Sequence, residues 1–232
     1  MRFQCHLFIF ALAACQAATA ADHSPLLDKM AAAYGGRARL EKIGAFRQIG
    51  RVDAATRIGT SGPIVRTFAR PLKLRVEIGE PPTEVRVLDG AQGWRNGKAV
   101  TGPGYEAMLL QAVRLDLPFQ LLSNQPKLVE KEPMDYHGVQ LRVLELPLEN
   151  GLSITAGLDP KTGRILFSTG NTPASGPMGR LSFETSYSDF SVVDGVLFAF
   201  NEVNLAGGAK TADIVLSLVQ LLKSAPADAF KP

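Results

Sequence analysis

Residues 105–122 read YEAMLLQAVRLDLPFQLL. Met108, Leu109, Ala112, Val113 and Leu115 recur at helical spacing, while Glu106, Gln111 and Arg114 keep to another face, as in an amphipathic helix. Pro118 lacks the N–H to continue such a helix and biases Leu117 toward an extended conformation. The helix should therefore stop or kink at Leu117, with a second short apolar turn through Phe119, Leu121 and Leu122. Nearly everything else after the N-terminus reads as strand. A lone apolar helical insertion in a long meander must lie across the sheet, either as a plain core helix or as a movable lid over an apolar space.

Upstream of it, residues 46–52 and 64–68 are strand candidates separated by a glycine-rich stretch. Leu72, Leu74, Val76 and Ile78 alternate with Lys73, Arg75 and Glu77, the signature of a half-buried strand. Val85 and Val87 return the chain, Asp89-Gly90 turns it toward Trp94, the only tryptophan, and Asn96-Gly97 turns it again. Downstream, residues 139–146, 152–158 and 164–168 form further strands joined by the turns Glu149-Asn150-Gly151 and 159–163. Residues 170–179 read as a mobile surface loop. Leu181, Phe183 and Tyr187 alternate with polar neighbours before a hairpin onto Val196, Phe198 and Phe200. Residues 211–222 also suit a helix, but their β-branched content favours a strand. Such short units make hairpins, not βαβ crossovers, so one mainly β domain with about ten or eleven antiparallel strands and a few helices is expected.

At the start, Ser24-Pro25 signals a helix with a hydroxyl cap, Gly35-Gly36 stops it, and residues 37–43 form a second short helix. The first twenty residues read as a signal peptide: Arg2, a short apolar run over 7–14, and Ala18-Thr19-Ala20 as the cleavage site. That run is too short to span a bilayer, so residues 21–232 are expected as one exported, periplasmic domain with no transmembrane helix. Leu12-Ala13-Ala14-Cys15 competes as a lipobox, which would make the protein a membrane-anchored lipoprotein through Cys15. Cys5 and Cys15 are the only cysteines, so a chain cleaved after Ala20 has neither disulfide nor thiolate chemistry.

The composition, 46% apolar and 20% charged with a formal charge of +3 and no basic run, argues against nucleic-acid binding. Catalytic groups are thin. His23 and His137 lie in no metal-ligand spacing, no GxSxG, Walker-type or GxGxxG stretch occurs, and Glu132 and Asp135 beside His137 read as a solvated loop face. A serine–histidine–aspartate arrangement around His137 stays open as the hydrolase alternative. No metal, no cofactor and no catalysis are expected. What the chain offers is Leu, Val and Ile on strands, suited equally to a packed core or to a fat-lined cavity. Leu74, Val76, Leu109, Val113 and Phe119 are the first candidates to face one apolar space.

Taken in order, Arg70-Pro71, the strand after it, Asp89-Gly90 with Trp94 beyond, Leu117-Pro118-Phe119-Gln120-Leu121-Leu122, and Asp159-Pro160 with Gly163 resemble the LolA/LolB superfamily of bacterial outer-membrane lipoprotein carriers. The resemblance implies an unclosed antiparallel half-barrel capped by an N-terminal helix and a helical lid. It implies no enzyme but a binder that holds the acyl chains of lipids or lipoproteins, for transport toward the outer membrane. On that reading the ligand-facing set is Leu74, Val76, Ile78, Trp94, Leu109, Val113, Leu117, Phe119, Leu122, Leu141, Val143, Phe183, Phe198 and Phe200. Arg70 takes the place of an arginine that latches the lid through hydrogen bonds to lid backbone. An RseB-like envelope sensor, with an envelope protein as partner, is the alternative.

Overall fold

The computed structural model describes residues 23–55, 61–173 and 181–232. The proposed signal peptide, both cysteines and most of the loop read at 170–179 lie outside them. Two helices, α1 (Ser24–Ala33) and α2 (Arg37–Lys42), precede six strands: β1 (Ala45–Ala54), β2 (Gly62–Ala69), β3 (Lys73–Ile78), β4 (Glu84–Leu88), β5 (Gly93–Arg95) and β6 (Lys98–Val100). The insertion follows as α3 (Pro103–Leu115) and α4 (Leu117–Ser123). Seven strands complete the chain: β7 (Val129–Tyr136), β8 (Val139–Pro147), β9 (Ser153–Leu158), β10 (Ile165–Asn171), β11 (Ser182–Val193), β12 (Val196–Ala206) and β13 (Ala209–Leu222).

The 13 strands of the described residues form one antiparallel sheet in the order β6-β5-β4-β3-β2-β1-β13-β12-β11-β10-β9-β8-β7. β6 and β7 do not pair, so the sheet stays open. Its curl has local causes, since bulges interrupt the register at Ile49/Gly50, Asn204/Leu205, Ile165/Phe167 and Lys131/Met134, and each bends its strand. At the first of these Gly50 is required by close approach: a Cβ there would fall 2.2 Å from the Val215 carbonyl oxygen. The concave face and the four helices share one core, with Leu27, Met30, Phe68, Leu74, Val76, Leu88, Leu117, Leu121, Leu144 and Leu146 almost wholly buried.

The expected architecture holds, with local corrections. The strand count exceeds the expected ten or eleven because β5 and β6 have three residues each, and because β7 (VEKEPMDY) is an exposed edge with no apolar alternation. Residues 211–222 are strand, as expected from their β-branched content. Gly170 and Asn171 belong to β10, not to a loop. Ser24 does not cap α1; the helix begins with it after His23, and its hydroxyl accepts a hydrogen bond from Gln125 Nε2 at 2.8 Å. The insertion breaks at Asp116 (φ −113°, ψ 22°), one residue before Leu117. Pro118 sits in the first turn of α4, where a missing N–H costs nothing.

Candidate functional site

Between the sheet's concave side and the insertion lie two cavities, each partly open to solvent. The larger, about 560 Å³, lies between α3 and the strands. Met108, Leu110, Gln111 and Arg114 face it from α3, and Ile64, Ile78, Ile154, Phe183 and Ile214 are among the strand residues lining it. Gly170 lets the helix lie low on β10, since a Cβ there would come within 3.2 Å of Leu110. The smaller, about 80 Å³, lies below the break between α3 and α4 and is lined by Leu117, Phe119, Phe190, Phe198 and Gln48 among others.

Arg114 lines both cavities and belongs to a buried ion cluster set where they meet. Arg66 on β2 forks onto Glu202 of β12, Nη1 to Oε2 at 2.9 Å and Nη2 to Oε1 at 2.8 Å. Arg114 Nη1 reaches the same Oε2 at 3.2 Å, the Thr185 hydroxyl at 2.7 Å and Asn204 Oδ1 at 3.2 Å. Burial alone would raise the Glu202 carboxyl, but the charges of Arg66 and Arg114 and the hydrogen bonds both donate outweigh it, lowering it from 4.5 to about 2. Burial likewise works against the charge on Arg114, and Glu202 more than compensates, so the guanidinium is held more firmly charged. Two buried polar atoms near this cluster have no partner: Arg66 Nε and Gln48 Oε1. Their residues are cross-strand neighbours on β2 and β1.

A second ion pair joins the sheet to the insertion. Arg70, at the end of β2, grips Asp116 at the helix break with Nε to Oδ2 and Nη2 to Oδ1, both 2.8 Å. Its guanidinium lies 3.4 Å from the centre of the Phe119 ring, and Nη1 reaches the Glu41 carbonyl at 3.3 Å. The insertion is thus held through a side-chain carboxylate and a ring; the backbone carbonyl Arg70 reaches is in α2, not in the lid. Burial raises the Asp116 carboxyl, outweighing the opposing hydrogen bonds and charge of Arg70. A third cluster, Glu84 with Arg86 at 2.9 Å and Arg95 at 3.1 Å, sits in the wall of the larger cavity, where Arg86 Nη1 also reaches Gln111 Oε1 of α3 at 3.1 Å.

The proposed ligand-facing residues do not share one space. Ile78 and Phe183 line the larger cavity, and Leu117, Phe119 and Phe198 line the smaller. Leu74, Val76, Val113 and Leu122 are packed into the core, and Leu109 and Phe200 are half-buried against it; none of these lines either cavity. Leu110, one position from Leu109, is the leucine of α3 that reaches the hollow. Leu141 and Val143 belong to the opposite face, because a Cβ at Gly157, paired with Val143, would fall 2.8 Å from Leu141. Leu144 and Leu146 take the inward phase of β8. Trp94 is likewise turned away: on β5 Arg95 lines the cavity and Gly93 lies against Tyr105 and Met108, so alternation sends Trp94 outward. His137 is exposed in the turn between β7 and β8, against the Tyr136 ring, and lines neither cavity. Among the described residues no cluster of three or more His, Cys, Asp or Glu could hold a metal, and no helix is long and apolar enough to cross a membrane.

A hollow, unclosed half-barrel capped by helices is the class of protein these features define. The chain has the LolA-like fold: it aligns with a LolA superfamily protein from Nitrosomonas europaea at TM-score 0.56, covering 92% of this chain and 99% of that one at 11% identity. A DUF1329 family protein from Desulfovibrio piger aligns at TM-score 0.50 over 90% and 96% at 9% identity. At such identities the likeness is one of fold alone. No family model and no curated protein matches the sequence.

Proposed function

We propose that this is an exported, periplasmic binding protein, not an enzyme, that holds acyl chains of lipids or lipoproteins in the half-barrel and carries them toward the outer membrane. The observation that carries the reading is the cavity of about 560 Å³ between α3 and a mainly apolar sheet wall. Each methylene moved from water into it contributes about 0.8 kcal/mol, so a long chain binds with few specific polar contacts. The break at Asp116 leaves α3 and α4 as separate pieces, so the cap can open without bending one rigid rod.

Protein purified without detergent should release a lipid in native mass spectrometry. Leu110→Glu places a carboxylate in the cavity at a cost of several kcal/mol, about 2–4, or forces its protonation. Lipid occupancy should fall at least about ten-fold, while Leu109→Glu, one position round the helix, should reduce it much less. Full occupancy in a folded Leu110→Glu protein would exclude the cavity as the acyl site.

Export is tested separately. The intact mass of the mature protein should correspond to an unmodified chain beginning at Ala21. A diacylglyceryl adduct on Cys15 would instead make it a membrane-anchored lipoprotein.

A further inference from the structure

Resting on the acyl-binding reading, we infer that the occupant of the larger cavity is a single-chain carboxylate, a long-chain fatty acid lying head inward against Arg114. Size sets the first limit. A methylene fills about the share of one liquid water, roughly 30 Å³, so about 560 Å³ accepts one chain of about eighteen carbons and not the three chains of a triacylated anchor.

Charge sets the second. Four arginines (66, 86, 95 and 114) stand in or behind the cavity wall against three carboxylates, Glu84, Glu184 and Glu202. Glu184, which accepts from the Ser182 hydroxyl at 3.5 Å, is counted with them, and the wall still carries one positive charge in excess. Arg66 already engages both oxygens of Glu202, so Arg114 shares a counter-charge that is spoken for, in surroundings where unbalanced charge is expensive. A ligand carboxylate at Arg114 would balance it.

The lining sets the orientation. The inward pairs along β11 and β12 run Tyr187 with Glu202, Thr185 with Asn204, then Phe183 with Ala206: charged, polar, apolar. A head group at the floor meets Arg114 and the NH2 of Asn204, whose oxygen is already an acceptor from Arg114 and from the Thr185 hydroxyl. Toward the other end the described lining is mainly apolar, with Val52, Ala54, Leu181, Ala206 and Ala212 beside Thr211 and Glu184, which suits a tail. Beyond the floor lies the cavity of about 80 Å³, too small for a phospholipid or peptide head.

The experiment is titration of the delipidated mature protein with palmitate, methyl palmitate and a synthetic triacylated lipopeptide. Palmitate should bind about ten-fold or more tightly than its ester, the scale of one charge-assisted hydrogen bond, and the lipopeptide should not displace it. Arg114→Gln leaves Arg66 and Glu202 as a balanced pair. It should remove the preference, so that palmitate and its ester bind within about two-fold of each other. Independently of any variant, a stearate carrying a nitroxide near its terminal methyl should be reduced by ascorbate faster than one labelled near the carboxyl. Equal affinity for acid and ester, displacement by the lipopeptide, or the reverse nitroxide order would overturn the fatty-acid assignment with the acyl reading intact. Failure of all three ligands to bind would overturn both.

Discussion

Glu202→Gln should lower the stability of the protein by about 3–5 kcal/mol, since it leaves two buried arginines without their carboxylate. Glutamine keeps an acceptor oxygen but neither the charge nor the fork that Arg66 closes on both Glu202 oxygens. Urea unfolding at neutral pH should show the loss as a lower midpoint at unchanged slope. The wild-type pH profile reports the same cluster. Glu202 is depressed in the folded state, so its contribution is fully present above its ordinary value of 4.5 and is lost as pH falls toward about 2. The variant has no such group, and the gap between the two proteins should narrow across that acid range. Replacing Arg66, Glu202 and Arg114 together with apolar residues of similar volume should recover much of the stability, because an ion cluster is costly to break but not to remove whole. A single Glu202→Gln protein as stable as wild type would mean that water, not Glu202, balances the arginines.

Most of the fold was legible from period and punctuation. The alternation of Leu74, Val76 and Ile78, the glycine and Asn/Asp turns, and the amphipathic run broken before Pro118 each reappear as an element in the right order. Two strands escaped because β5 and β6 are too short for alternation to register, and a third, β7, because an exposed edge needs no apolar face. The site was harder to read, since period tells which residues share a face but not which face turns inward. On β8 the pairs Leu141/Val143 and Leu144/Leu146 look alike in sequence, and only the register chooses between them. One signal was present and unused. Arg66 stands between Ile64 and Phe68 in the inward phase of β2, and Glu202 follows Phe198 and Phe200 in the inward phase of β12. A lone charge of each sign at apolar-phase positions is costly unless the two meet, and here they do. Arg114 reads as the polar side of a helix as long as solvent is expected there, whereas Glu202 receives it, and Asp116 gives no signal of its own until Arg70 is seen to grip it.

Arg70→Leu should be the most informative change at the insertion. It removes both hydrogen bonds to Asp116 and the guanidinium over Phe119, leaving a carboxylate whose side chain is only 6% exposed without its counter-charge. At neutral pH the expected loss is about 2–4 kcal/mol, well above the 1 kcal/mol or less of an exposed surface pair. In the wild-type protein the pH dependence of Asp116 runs opposite to that of Glu202. The Asp116 carboxyl is already raised in the folded protein, so its ionised form costs stability at neutral pH, and the cost fades as pH falls through the raised value toward 3.8. Without Arg70 that value climbs further, so the deficit should be largest near neutrality and shrink on acidification. Arg70→Leu combined with Asp116→Asn should regain stability at pH 7, since no buried charge is left alone. It should not restore the tether. Amide exchange across α3 and α4 should rise in the single variant and stay raised in the double, because in both the insertion has lost its hold on the end of β2. Arg70→Lys keeps the charge but not the planar fork, and should fall between wild type and Arg70→Leu. Unchanged exchange in all three proteins would reduce Arg70 to an ordinary packing residue and leave the insertion held by its apolar face alone.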